Sequence, residues 1–127
     1  MEYQNNYPWI GDFCLAQPGA TTDFSPEWVA TRYHIGGKMF AMLCNDKHGK
    51  PIVTLKLDPM FGSSLREQYE CIVPGYYMNK VHWNSLYLDS DVPDDIVKTM
   101  VQESYQLVFS SLSKRVQKEI LGGNNNG

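Results

Sequence analysis

Residues 74–89 read PGYYMNKVHWNSLYLD, and this stretch contains a turn and a strand of the predicted fold. The Pro74-Gly75 pair is a turn signal, because proline presets φ and glycine tolerates positive φ. From about Val81, apolar and polar side chains alternate with a period of two, which predicts a half-buried strand ending near Leu88. No other segment of the chain mixes bulky apolar groups and hydrogen-bonding groups so densely.

Three further strands are predicted upstream of this stretch. Residues 29–35 alternate with a period of two, and Gly36-Gly37 then separates them from a second apolar run, residues 38–44. Two strands joined by a two-residue glycine connection are typical of a β-hairpin. A polar turn over residues 45–50 leads to a third strand, residues 51–57. The pattern predicts an antiparallel meander, whereas residues 20–26, rich in Thr, Ser, Asp and Pro, are predicted to form a loop.

Helical signals surround these strands. Residues 8–16 have apolar positions at helical spacing and predict a short amphipathic helix. Asp58 followed by Pro59 is an N-terminal capping signal, and the helix that it starts is predicted to end near Cys71, with Gly62 as a mild defect. The longest predicted helix follows Pro93, and residues 114–120 predict a further helical turn or a short separate helix.

The chain is predicted to form one domain over residues 1–121, followed by a disordered Gly/Asn tail, GGNNNG, at residues 122–127. The 127 residues include no apolar run near the roughly 20 residues of a membrane span, and the first residues lack a signal-peptide pattern. We therefore expect a cytoplasmic protein without a membrane partner. Cys14, Cys44 and Cys71 are widely spaced, which predicts reduced thiols.

The sequence resembles the MmcQ/YjbR family. The blocks that carry the resemblance are CLAQPGA (14–20), GGKMFA (36–41), LKLDP (55–59), LREQY (65–69), the whole of residues 74–89, and SYQLV (104–108). Their order and spacing also match, from Cys14 to about Ile120. The resemblance implies an α+β fold of the frataxin-like (CyaY-like) kind, with an antiparallel sheet and helices packed on it. It also implies DNA binding by a "double wing" arrangement of hairpins. Tyr77 departs from the family pattern, which commonly has histidine there.

The leading functional hypothesis is weak DNA binding through the hairpins and the motif in residues 74–84. Lysine meets a phosphate as a point charge, amides donate hydrogen bonds to the phosphate backbone, and tyrosine rings stack on exposed bases. A net charge of −3 argues against strong non-specific DNA binding but leaves room for a local basic patch. The candidate residues are Lys38, Lys56, Tyr76, Tyr77, Asn79, Lys80, His82 and Asn84.

Two other interpretations remain open. The motif residues are alternatively structural, with Trp83 in the core and Asn79 and His82 bonded to backbone groups of an irregular turn. The same aromatic-rich turn is alternatively the anchor of a protein- or ligand-binding adaptor, since tyrosine and tryptophan are favoured interface residues. Common catalytic motifs and phosphate-binding glycine loops are absent, so we predict no enzyme activity and no cofactor. A frataxin-like metal site would need clustered carboxylates, and because the first helix offers only Asp12, no metal site is predicted.

Overall fold

A computed structural model describes residues 4–75 and 78–122 of the chain. This part of the chain forms an α+β fold in which helices pack on an antiparallel sheet, which confirms the predicted fold class. None of its helices is long and apolar enough to span a membrane. In chain order the elements are α1 (Ile10–Leu15), β1 (Thr21–Ser25), β2 (Ala30–Ile35), β3 (Lys38–Asn45), β4 (Pro51–Lys56), α2 (Pro59–Gln68), β5 (Ile72–Pro74), β6 (Trp83–Tyr87), α3 (Asp94–Ser110) and α4 (Lys114–Gly122).

The sheet has the strand order β1-β2-β3-β4-β6-β5, and every neighbouring pair is antiparallel. The predicted meander is confirmed as β2-β3-β4, with β6 pairing beside β4. Gly36 and Gly37 connect β2 to β3 with φ of 59° and 82°. Positive φ at both positions fits a primed hairpin turn, which glycine adopts without the steric cost of a Cβ atom.

Two strands were not predicted from the sequence. Residues 21–25 form the edge strand β1, so the prediction of a loop over residues 20–26 is wrong. Four of its five residues are exposed, and its register is held by pairing with β2 and by the bidentate Arg32–Asp23 contacts at 2.9 and 2.8 Å. Strand β5 has only three residues, which is too short to show a period. Edge strands with little apolar burial leave no alternation to detect.

The hydrophobic core lies between one face of the sheet and helices α1 to α3. Val53 and Leu55 of β4 are fully buried there beside Leu86 of β6. The side chains that alternate with these strand residues point away from the helices, to what we call the outer face. The outer face carries Ala30, Arg32, His34, Met42, Cys44, Ile52, Thr54, Lys56, Trp83, Ser85 and Tyr87.

Helix α2 begins at the capping signal that the sequence contains. Asp58 caps α2, and its Oδ2 accepts hydrogen bonds from the backbone N–H groups of Met60 and Phe61 at 3.1 and 3.3 Å. The helix ends at Gln68, three residues before the predicted Cys71, because Tyr69 is already extended. Residues 114–122 form a separate helix, α4, which includes Gly122 of the predicted tail. Residues 123–127 of that tail lie outside the described residues.

Candidate functional site

Three of the predicted lysines lie at one end of the sheet. Strands β2, β4 and β5 end there, and β3 and β6 begin there, as their antiparallel registers require. Lys38 follows the glycine turn, Lys56 ends β4 opposite Trp83, and Lys80 lies in the connection from β5 to β6. We call this the lysine end of the sheet. The three candidate lysines therefore belong to different segments of the chain but lie at the same end of the sheet.

The lysine side chains are not all on one face. Lys38 is exposed, and its Nζ reaches the Ser111 hydroxyl beyond the C-terminus of α3 at 3.4 Å. Lys56 alternates with the buried Leu55 and so lies on the outer face, where it is half-buried. The three lysines consequently lie at one end of the sheet but are distributed over both of its faces.

Lys80 and Asn79 shape the turn that precedes β6. Lys80 Nζ donates to the Gly75 carbonyl at 2.8 Å. Asn79 Oδ1 accepts from the Val81 N–H at 2.8 Å, and its carbonyl accepts from the Trp83 N–H at 3.0 Å. These contacts favour the structural interpretation of Asn79, and the Lys80 ammonium takes part in the same turn through its bond to Gly75, although the residue as a whole is exposed. Tyr76 and Tyr77, the predicted stacking residues, lie outside the described residues.

Asn84 is the motif residue whose position argues most strongly against a contact with nucleic acid. Its side chain is fully buried, so it cannot reach a phosphate in this conformation. Asn84 Oδ1 accepts a short hydrogen bond from Arg66 of α2, and Nδ2 donates to the His82 carbonyl at 3.2 Å. A Cβ atom on Gly62 would lie 2.9 Å from Asn84 Nδ2. Gly62, predicted as a mild defect of the helix, is therefore the position at which α2 approaches this amide closely. The Asn84 amide joins α2 to β6.

His82 contributes to the same junction through its backbone. Its carbonyl accepts from the Leu57 N–H at 2.7 Å as well as from Asn84 Nδ2, which extends the pairing of β4 and β6 by one residue. The imidazole is half-buried. The structural interpretation is thus supported for the Asn79 side chain, whereas the contacts described for His82 involve its carbonyl. Trp83 is half-buried on the outer face, so the placement of Trp83 in the core was wrong. Arg66 was not singled out from the sequence, because no local pattern connects it to a residue 18 positions later.

The lysines of the lysine end form no ion pair with a described carboxylate, although Asp58 lies two residues after Lys56. Within residues 4–75 and 78–122, the ion pairs are Arg32–Asp23, Lys50–Asp89 and Arg115–Glu119, and none includes Lys38, Lys56 or Lys80. Helix α4 adds positive charge at this end, because Leu112, just before the helix, lies against Gly36 and Ile120 lies against Gly19. The basic residues of α4 are Lys114, Arg115 and Lys118.

Acidic residues concentrate at the opposite end of the sheet. The β1–β2 turn, the β3–β4 turn and the segment from β6 into α3 all lie there. Their carboxylates belong to Glu27, Asp46, Asp89, Asp91, Asp94 and Asp95. Lys47 and Lys50 of the β3–β4 turn also lie at this end, so it is acidic on balance whereas the lysine end is basic on balance, a property that total composition does not reveal.

The two most buried thiols have raised pKa values. Burial raises the pKa of Cys14 to about 12. Burial, with a smaller contribution from the Asp46 carboxylate, raises the pKa of Cys44 to about 11. A thiol with such a pKa is protonated near neutral pH and is therefore a weak nucleophile. Among the described residues, no group of three or more His, Cys, Asp and Glu side chains converges as metal ligands would.

Comparison with known proteins assigns the chain to a family. The family model described as YjbR matches residues 15–107. The chain belongs to the YjbR family. The match excludes most of α1 and all of α4, and includes the whole sheet and the 74–89 motif. The MmcQ/YjbR resemblance of the sequence blocks is thereby confirmed.

Relatives and a solved structure agree with this assignment. The chain is 33% identical over 106 residues to the uncharacterized protein YjbR of Escherichia coli K12, covering 84% of this chain and 89% of that protein. It is 37% identical over 100 residues to the uncharacterized protein YbdF of Escherichia coli O157:H7, covering 79% and 80% of the two chains. The crystal structure of Deinococcus radiodurans protein DR2400 is similar with a TM-score of 0.78 and 27% identity, covering 87% of this chain and 84% of that one. These relatives establish family and fold.

Proposed function

We propose that this YjbR-family protein binds nucleic acid weakly through the lysine end of its sheet. The observation that supports the proposal is the placement of Lys38, Lys56 and Lys80 at one end of the sheet, without an ion pair to any described carboxylate. Lysines of this kind attract a polyanion, because binding releases the counterions that phosphates condense. The acidic opposite end orients the molecule so that the lysine end approaches the phosphates first.

The proposed contacts go to the phosphate backbone. Lys38 and Lys80 are exposed residues, and Lys56 lies beside half-buried Trp83 on the outer face. Lysine contacts of this kind position a protein on nucleic acid without reading its sequence. We therefore expect a modest affinity, a strong dependence on salt, and little discrimination between sequences. Asn84 takes no direct part, because it is buried against Arg66.

The test compares lysines at the two ends of the molecule. Fluorescence anisotropy with a labelled mixed-sequence duplex and a labelled single strand measures the affinity across a series of salt concentrations. Lys38→Gln should weaken binding and reduce the slope of log K against log salt by about 1, the value expected for one lost phosphate contact. The matched control is Lys47→Gln, which removes an equally exposed lysine from the β3–β4 turn at the opposite end.

Two results would refute the proposal. One is the absence of saturable binding to either nucleic acid at low salt. The other is an equal loss of affinity in the Lys38→Gln and Lys47→Gln variants, which would indicate attraction without a defined surface. Lys56→Gln provides a second variant at the lysine end, and it should show the same reduced slope because it also removes one positive charge. The substitution leaves the backbone N–H of residue 56, which donates to the Ser104 hydroxyl at 2.8 Å, unchanged, so the local fold should be retained.

A further inference from the structure

A cavity of about 520 Å³ lies between the β1–β2 turn and the outer face of the sheet. Its size is within the range of pockets that bind small molecules. The sheet supplies Ala30, Met42 and Cys44, and the turn supplies Glu27 and Trp28. These residues lie at the end of the sheet opposite the three lysines, so the cavity is separate from the proposed nucleic-acid surface.

Trp28 forms an aromatic wall of this cavity. Its side chain is 51% exposed, although tryptophan normally buries most of its large apolar surface. The Arg32 guanidinium lies 6.0 Å from the centre of the indole ring, and Asp23 holds that guanidinium by two hydrogen bonds. Arg32 does not itself line the cavity. The indole therefore already packs beside one cation of the protein while it borders a space that the protein leaves open.

The backbone next to Trp28 is in an unfavourable conformation. Val29 has a φ of 51°, a left-handed value that a β-branched residue rarely adopts. Its side chain is 66% exposed, so no buried contact of this side chain explains the conformation. Residues held in such conformations cost stability and recur at binding sites, where they position a neighbour. Here the neighbour is Trp28, which the Ser25 hydroxyl also anchors by accepting its N–H at 3.3 Å.

The floor of the cavity is apolar and rich in sulfur. Met42 is 1% exposed and Cys44 is half-buried, and both point to the outer face from β3. With its pKa raised to about 11, the Cys44 thiol is uncharged near neutral pH and behaves as a small apolar group. Thioether and thiol sulfur atoms pack well against aromatic rings. A planar ring between Trp28 and this floor would contact apolar or polarisable atoms on both sides.

Glu27 is the charged residue among those that line the cavity. An ionised carboxylate accepts hydrogen bonds and donates none, so a ligand group beside it must be a donor or a cation. Trp28 also favours a cation over its ring face. An anionic ligand would instead place like charges together. The Glu27 carboxylate thus favours a ligand with a cationic or hydrogen-bond-donating group. The indole of Trp28 and the sulfur atoms of Met42 and Cys44 favour a ligand with an apolar ring.

We propose that this cavity binds a planar aromatic ligand that carries a protonated amine, with the ring against Trp28 and Met42 and the amine beside Glu27. This proposal does not depend on nucleic-acid binding, because the two surfaces lie at opposite ends of the sheet. It assigns to the protein a second, small-molecule binding activity.

The test uses three probes that separate the ring from the charge. Tryptamine has both features, indole-3-acetate has the ring with a negative charge, and n-butylamine has the charge without a ring. NMR of the full chain follows the indole N–H of Trp28 and the methyl group of Met42, which are far from the lysine end. Tryptamine should shift both signals saturably with a Kd on the order of 1 mM, as expected for a fragment of this size. The other two probes should bind roughly tenfold more weakly.

Variants then assign the contacts. Trp28→Ala should abolish tryptamine binding and Trp28→Phe should retain part of it, while Glu27→Gln should weaken it about threefold and reduce the preference over indole-3-acetate. Glu70→Gln removes an exposed carboxylate outside the cavity and should change nothing. The Met42 methyl signal reports whether each variant is folded. The proposal is overturned if tryptamine gives no saturable shift, if indole-3-acetate binds equally well, or if Glu70→Gln has the same effect as Glu27→Gln.

Discussion

Replacing Gly62 by alanine tests whether the buried amide of the 74–89 motif has a structural role. Glycine inside a helix normally costs about 1 kcal/mol relative to alanine, so the substitution would ordinarily stabilise α2. At this position the new Cβ atom would lie 2.9 and 3.1 Å from the two terminal atoms of Asn84 and 3.3 Å from an Arg66 nitrogen. Asn84 is fully buried and is hydrogen-bonded at both ends, so it has little freedom to move away.

The expected result is a net loss of stability. Overpacking a tight site costs about 1–3 kcal/mol, which exceeds the gain in helix propensity. Gly62→Ala should therefore lower the free energy of unfolding by about 1 kcal/mol, or the melting temperature by about 4 °C. Urea denaturation followed by circular dichroism measures this difference. Ser64→Ala, at an exposed position of the same helix, is the matched control and should gain about 0.5 kcal/mol.

A double-mutant cycle identifies the contact responsible. Asn84→Ala removes the atoms that the new Cβ would meet, so Gly62→Ala should be stabilising in that background even though Asn84→Ala is itself costly. If Gly62→Ala proves as stabilising as Ser64→Ala in the wild-type background, the close approach of α2 to Asn84 is not a constraint. The structural interpretation of this part of the motif would then be wrong.

Three further outcomes follow from individual contacts. Burial would raise the pKa of Asp46, but hydrogen bonds from two backbone N–H groups and the Tyr87 hydroxyl lower this pKa below its ordinary value. The stability that the ionised carboxylate gives the fold is therefore complete above about pH 5 and is lost as the pH falls through the folded pKa. Asp46→Asn should consequently flatten the decline of stability measured between pH 3 and 7. Val29→Gly should raise the free energy of unfolding by about 0.5–1 kcal/mol by relieving the left-handed conformation, whereas Val81→Gly, which relieves no such conformation, should not. Cys14, fully buried and with a pKa of about 12, should react with iodoacetamide only after unfolding, as mass spectrometry of the modified peptide would show.

Much of the fold follows from short-range patterns in the sequence. The glycine turn at residues 36–37 joins two alternating segments, and both glycines have the positive φ that such a turn requires. Asp58 with Pro59 identifies the start of α2. Strand β1 could not be predicted from hydrophobic periodicity, because most of its side chains are exposed. Backbone pairing with β2 and the Arg32–Asp23 contact hold it in place. A strand without a buried face has no hydrophobic period to detect.

The candidate site was only partly predictable for a different reason. The lysines at positions 38, 56 and 80 are recognisable by type, and strand register brings them to one end. The burial of Asn84 depends instead on Arg66 and Gly62, which lie on another element and share no period with it. Similarly, Trp28 and Met42 meet only because β2 and β3 pair in a particular register. Contacts between distant residues determine which polar residues of a motif remain exposed.

The uneven distribution of charge between the two ends of the sheet gives the molecule an electric dipole moment. A protein with a pI near 5.5 should be repelled by a cation-exchange resin at neutral pH. Adsorption depends on the surface that faces the resin, however, and the end with Lys38, Lys56 and Lys80 presents lysines that form no ion pair with a described carboxylate. The protein should therefore be retained on both anion- and cation-exchange media at low ionic strength, adsorbing in opposite orientations on the two.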